Sequence, residues 1–255
     1  MKNSFIPIDN NLEKAIAFAP SLTKEFKTIN RIRQKEHYID TLNIIKGLQN
    51  QGWRINGVCE SRLKNRKVDN HYIKMEHPDY VMKNEGMSNL IITNSCSGKS
   101  PLNIGLGITR NVCTNQLVRR TYDENHSISH IKGNEVKVPL LINSVNREME
   151  LIFDAYNRLK SRELNNRELL EIANRAAKLR FPTSYNELDY EQLLNVNRKE
   201  DEGNNLWLVY NRIQENLTKS GLLISRNGNR LSGVENVENN IKINSDLFEL
   251  VEAYA

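Results

Sequence analysis

Residues Leu90 to Arg120 read LIITNSCSGKSPLNIGLGITRNVCTNQLVRR, a run without a single acidic residue. Ile91 and Ile92 lead into a turn built from Asn94, Ser95, Ser97, Gly98, Lys99, Ser100 and Pro101. Leu102, Ile104, Leu106 and Ile108 then alternate at period two, the pattern of a strand with one face buried. The stretch therefore predicts a strand, a turn and a second strand. Its basic residues, Lys99, Arg110, Arg119 and Arg120, stand beside that hairpin.

Upstream, WRINGVCESRL and HYIKMEH read as further strands, the first broken near Gly57. A helix is expected from about Glu36 to Gln49, where Tyr38, Leu42, Ile45 and Leu48 recur at near-helical spacing, and Gly52 ends it. Val136 to Leu141 reads as a last short strand. From Ser144 the apolar period becomes helical, with Val145, Met149, Ile152, Phe153, Tyr156 and Leu159 on one face. Asn165 or Asn166 caps the next helix and Phe181-Pro182 ends it. Trp207 lies on a further helix, Asn227-Gly228 marks a two-residue turn, and Ser245 caps a short closing helix. Strands followed by helices predict an α+β fold: an antiparallel sheet in the first half and a mainly helical second half. Residues 1–20, with Pro7 and Pro20, read as an arm. Residues 21–142 form a basic mixed sheet region and residues 143–255 a helical region packed on it, together one composite domain.

The chain has 255 residues, 38% hydrophobic and 26% charged, enough to bury a real core. No apolar run reaches the ~18 residues of a membrane span, and the N-terminus has no secretory pattern. Cys59, Cys96 and Cys113 include no C-x-x-C pair, as expected of reduced thiols in a cytoplasm. Charge is uneven. Residues 1–142 hold 21 Lys and Arg against 13 Asp and Glu, and the remainder 15 against 18, which gives the overall +5. That asymmetry points to an anionic partner for the first half.

Motif-like features carry less. Ser97-Gly98-Lys99-Ser100 ends like a phosphate loop, but Thr93 stands where the first glycine belongs and strands flank it on both sides. Gly105 and Gly107 make no dinucleotide fingerprint, since Arg110 occupies the third glycine's place. His126 and His130 have a spacing metals use, but no signature joins them to Cys96, Cys113 or His71, so no metal or other cofactor is expected. Cys113 with His130 invites a nucleophile–base reading, and a buried core thiol competes with it.

The order NSCSGKS, a strand ending GLGITRNVCTNQL, then SISHI resembles a phage- and plasmid-encoded family, domain of unknown function nine-three-two. The resemblance covers roughly residues 50–220. It rests on Asn94, Ser95, Arg110, Cys113, Asn115, Ser129 and His130, and NNLWLVYNRIQENL looks like the family's closing helix. Cys96 departs from the pattern, which commonly has His there. The resemblance implies a mobile-element gene context and no activity. On charge, the expected partner is nucleic acid, single-stranded DNA favoured, bound through Arg62, Lys64, Arg66, Lys67, Lys99, Arg110, Arg119 and Arg120. A role in recombination or replication is the concrete version, with no membrane partner and self-association left open. Two alternatives stand beside it: an enzyme using Cys113 and His130, and a non-enzymatic counter-defence or interaction protein.

Overall fold

A computed structural model describes residues 5–23, 38–62, 68–82, 86–98, 100–110, 116–120, 127–184 and 188–255. The chain divides into two units: residues 1–111 with 120–149, and residues 112–119 with 150–255.

The first unit is built on an antiparallel sheet. Strands β1 (Ile6–Pro7), β2 (Arg54–Arg62), β3 (Val68–Met82), β4 (Gly86–Ser95) and β5 (Leu102–Arg110) pair in sequence order. After β6 (Gln116–Arg120), β7 (Ser127–Ile128) pairs with the start of β5. Register places Ile55, Val58, Ile73, Met75, Leu90, Ile92, Ile104, Leu106 and Ile108 on one face, all buried. The opposite face of β3 is buried too, through Tyr72 and Lys74. Asn56 is the extra residue between Ile55 and Gly57, a bulge at the glycine where the sequence breaks.

Residues 6–20, within the stretch 1–20 expected as an arm, are built into this unit. β1 pairs with Val58 and Gly57, Ile8 is fully buried, and the Asn10 side chain accepts the Ile55 N–H at 3.0 Å. Helix α1 (Leu12–Phe18), capped by Asn11, packs on β2. Helix α2 covers Thr41–Gln49 and buries Thr41, Ile44, Ile45 and Leu48. It starts later than its apolar spacing suggested, because the Asp40 carboxylate caps Leu42 N–H and fixes the first turn there.

Helix α3 (Lys137–Ser161) corrects the strand expected at Val136–Leu141. Alternating valines and leucines suggested that strand, yet Val136 and Leu140 are exposed while Leu141, Val145, Met149 and Ile152 are buried at helical spacing. Pro139 is tolerated because the N–H groups of a first turn have no partner inside the helix.

In the second unit, α4 (Asn166–Arg180) opens with a capping box between Asn165 and Glu168 and buries Ile172, Ala173, Ala176 and Ala177. Helix α5 (Leu206–Thr218), capped by Asn205, packs against α4, the 3-10 turn at Tyr190–Leu194, and α6 (Val237–Glu252). The turn at Asn227-Gly228 is present, with Gly228 at φ 80° and an antiparallel bridge from Ile224 to Arg230. The closing helix starts at the Asn236 cap, not at Ser245, which is buried inside it. Its polar opening VENN concealed that start, although Val237, Ile241, Phe248 and Val251 make one buried stripe.

Candidate functional site: a buried histidine–asparagine network

At one end of the sheet, the first unit places a chain of polar side chains inside its core. His71 on β3 and Asn94 on β4 are direct register partners, so their side chains share a face with the apolar core. Thr41, at the start of α2, reaches both. His130, just past β7, closes the chain from the other side. Thr41, His71, Asn94 and Ser95 have no exposed surface, and His130 has 1%.

The direction of every bond follows from one fixed donor. Ile39 N–H donates to His130 Nδ1 at 3.0 Å, so that nitrogen carries no proton and the other, Nε2, does. Nε2–H donates to Asn94 Oδ1 at 2.9 Å, which also accepts Ser95 N–H at 2.8 Å. The Asn94 amide then gives its hydrogens to Ile39 C=O and Thr41 Oγ1, both at 2.9 Å. Having accepted there, the Thr41 hydroxyl donates to His71 Nε2 at 2.7 Å. Side chains of Asn94 and His130 thus satisfy both backbone groups of Ile39, as a neighbouring strand would. The Tyr38 ring stacks on His130 at 5.2 Å and 9°. Buried polar groups this well satisfied rigidify their surroundings, and each bond contributes ~1 kcal/mol.

Two of the motif positions therefore meet. Asn94 and His130 are joined by a hydrogen bond, and Ser95 adds its N–H to the same Asn94 oxygen. Cys113 and Asn115 lie outside the described residues. Thr41 and Tyr38 carry no sequence signal as members, and His71 enters only because register sets it opposite Asn94. Ser95 Oγ ties the following turn by accepting Ser100 N–H at 3.1 Å. Cys59 is buried and Cys96 half-buried, and neither forms a disulfide. Burial, with Glu60 beside it, pushes the Cys59 thiol up to about 11.

Of the basic residues, Lys64, Arg66, Lys67 and Lys99 lie outside the described residues. For Arg62, Arg110, Arg119 and Arg120 the backbone is described. Arg62 pairs with Val68 at the network end of the sheet, where Asn70 meets Ser95. Arg110 pairs with Gly86 at the other end, about 25 Å away along the eight steps of β5. Arg119 and Arg120 end β6. Lys74 on β3 is 8% exposed, its amine held down to about 8 by burial against the opposing pull of Glu76.

Among the described residues, no group of three His, Cys, Asp or Glu side chains could hold a metal, and no helix is long and apolar enough to cross a membrane. A family model described as a domain of unknown function, DUF932, matches residues 31–247. The chain belongs to the DUF932 family. Every member of the buried network falls within the matched DUF932 span. The chain is also similar to two Escherichia coli (strain K12) proteins. UPF0380 protein YafZ is 26% identical over 258 residues, covering 94% of this chain and 90% of the relative. UPF0380 protein YfjQ is 27% identical over 257 residues, covering 94% and 89%. No solved structure matches this DUF932 chain.

Proposed function

We propose that this protein binds nucleic acid, single-stranded DNA favoured, at the end of the sheet that holds the buried network. One observation carries the reading: where the most basic segments join the fold. Residues 24–37 follow a 3-10 turn whose Ser21 N–H donates to Glu60, the register partner of His71, and they rejoin at Tyr38 and Ile39. Residues 63–67 link Arg62 to its partner Val68, and Lys99 stands between Gly98 and Ser100 beyond the end of β4. Together these segments carry nine basic residues against two acidic ones, which accounts for nearly all of the first half's excess. Basic segments whose described flanking residues lie at one end of a sheet suit a phosphate backbone, which requires charge more than a defined pocket.

A role in recombination or replication of mobile-element DNA is the concrete form of this proposal, resting on the gene context that the family resemblance implies. The enzymatic reading gains less support, because hydrogen bonds already engage both ring nitrogens of His130. The test is a mobility shift with single- and double-stranded oligonucleotides at two salt concentrations. Binding should weaken steeply with salt, and replacing Lys64, Arg66 and Lys67 with Ala should flatten the slope by about one per lost phosphate contact. No affinity at low salt overturns the proposal and leaves the interaction-protein reading in its place.

A further inference from the structure

Around Ile39, a single proton can reverse a contact. His130 Nδ1 accepts the Ile39 N–H while its Nε2–H is committed to Asn94, so the ring is neutral and fully used at this junction. A proton taken from solvent at Nδ1 would set two N–H donors face to face. It would also place a charge where only 1% of the residue touches water. The second histidine acts in the same direction: His71 Nε2 accepts from Thr41, and protonation there opposes that hydroxyl. Tyr38 stacks on the His130 ring, and Asp40 turns its carboxylate to Leu42 N–H at 3.0 Å. Cys96 follows Ser95 on the β4 side, and exposed Lys132 follows on the segment of His130 itself.

We propose that the His130–Ile39 contact is an acid-released latch, which holds Tyr38–Thr41, the lead-in to α2, on the sheet while His130 is neutral and frees it when Nδ1 is protonated. Histidine is the side chain whose ordinary titration range allows this near neutrality. Ile39 N–H then turns to water, and Asn94 loses the fixed partner that orients it. The latch stands on the hydrogen-bond geometry alone and is independent of nucleic-acid binding.

Hydrogen exchange of the full chain at about pH 7 and about pH 5, corrected for intrinsic rates, tests it. The Ile39 amide should lose protection by about tenfold or more at the lower pH, while the amides of Leu90–Thr93 keep theirs. His130→Gln should remove the pH response at the Ile39 amide, leaving only what His71 exerts through Thr41. Unchanged protection of the Ile39 amide, or loss in step with β4, overturns the latch, as does an Ile39 response that persists in the variant. Should the variant not fold, nitrogen NMR of the wild-type imidazoles decides. An Nε2–H tautomer at neutral pH, titrating together with the opening, supports the latch; an Nδ1–H tautomer or a separate midpoint refutes it.

Discussion

Replacing Lys74 with Met should make the protein more stable near neutral pH, and the gain should fade as the solution turns alkaline. Lys74 sits in the middle of β3, paired laterally with Gly57 and Ile91, and is 8% exposed. Among the described residues, no hydrogen bond or ion pair reaches its ammonium, and the nearby Glu76 carboxylate is bonded to the Asn56 amide. Burial takes its pKa from 10.5 to about 8, offset in part by Glu76. At ~1.36 kcal/mol per pH unit, that difference corresponds to about 3 kcal/mol. Its sign follows from linkage. Between pH 8 and 10.5 the unfolded chain binds more protons at this site than the folded one, so stability rises with pH across that window. Below pH 8 both states are charged and the whole penalty is present. The Cys59 thiol, raised from 9.0 to about 11, acts oppositely: its contribution is intact below 9.0 and lost as pH climbs through 11. Wild type alone would show the two effects partly cancelling. The difference between Lys74→Met and wild type isolates the lysine, because Cys59 is common to both. Urea denaturation at about pH 7 and about pH 10.5 should give a variant more stable by ~2–3 kcal/mol at the first, with most of that advantage gone at the second. A variant less stable than wild type at neutral pH, or an advantage independent of pH, would show that the ammonium has a partner and refute the reasoning.

The remaining expectations concern the two buried networks. Asn94→Ala strands Ile39 C=O, Ser95 N–H and His130 Nε2–H in a dry site, so chemical denaturation should show a loss of ~2–4 kcal/mol; a loss below ~1 kcal/mol would mean the chain of bonds is slack. In the second unit, Glu215 on α5 is gripped by Arg198 at 2.7 Å and Lys219 at 2.5 Å. Burial pushes this carboxyl up, but the hydrogen bonds from Arg198 and Lys219 outweigh it and hold it below the usual range. Its stabilisation is therefore present above the ordinary carboxyl pKa and lost as pH falls below it. Glu215→Gln should cost ~1–3 kcal/mol at neutral pH, discounted because both cations reach water, and should flatten the acid limb of a melting-temperature profile. An unaltered acid limb would assign the acid sensitivity elsewhere.

Where local chemistry repeats at a clear period, the fold was legible in the sequence. The β4–turn–β5 unit, the bulge at Gly57, the Asn165 cap and the Phe181 stop are all set by residues near one another in the chain. Errors arose where one pattern serves two structures. The alternation from Val136 to Leu140 resembles a strand, yet tertiary burial of Leu141, Val145 and Met149 selects a helix. The start of α6 was hidden because polar VENN begins a helix whose apolar stripe becomes dense only later. The network was half legible: the family pattern pointed to Asn94, Ser95 and His130. Thr41 and His71 could not be found that way, because what recruits them is strand register and the docking of α2.

That recruitment bears on what the motif residues do. Nucleophile activation needs a base with a free acceptor nitrogen near solvent or substrate, whereas His130 spends both nitrogens inside the core. Asn94 likewise spends its oxygen and both hydrogens on Ser95, His130, Ile39 and Thr41. Residues committed in this way hold geometry. What they hold is the junction of β3, β4, β7 and α2, at the end of the sheet where Ile39 and the Arg62–Val68 pair, the described neighbours of two basic segments, are placed. The network fixes Ile39 on the sheet through both of its backbone groups. This separates two classes of substitution. Under the proposed function, changes at Asn94 or His130 should lower stability and binding together, whereas replacing Lys64, Arg66 and Lys67 should lower binding and leave stability intact.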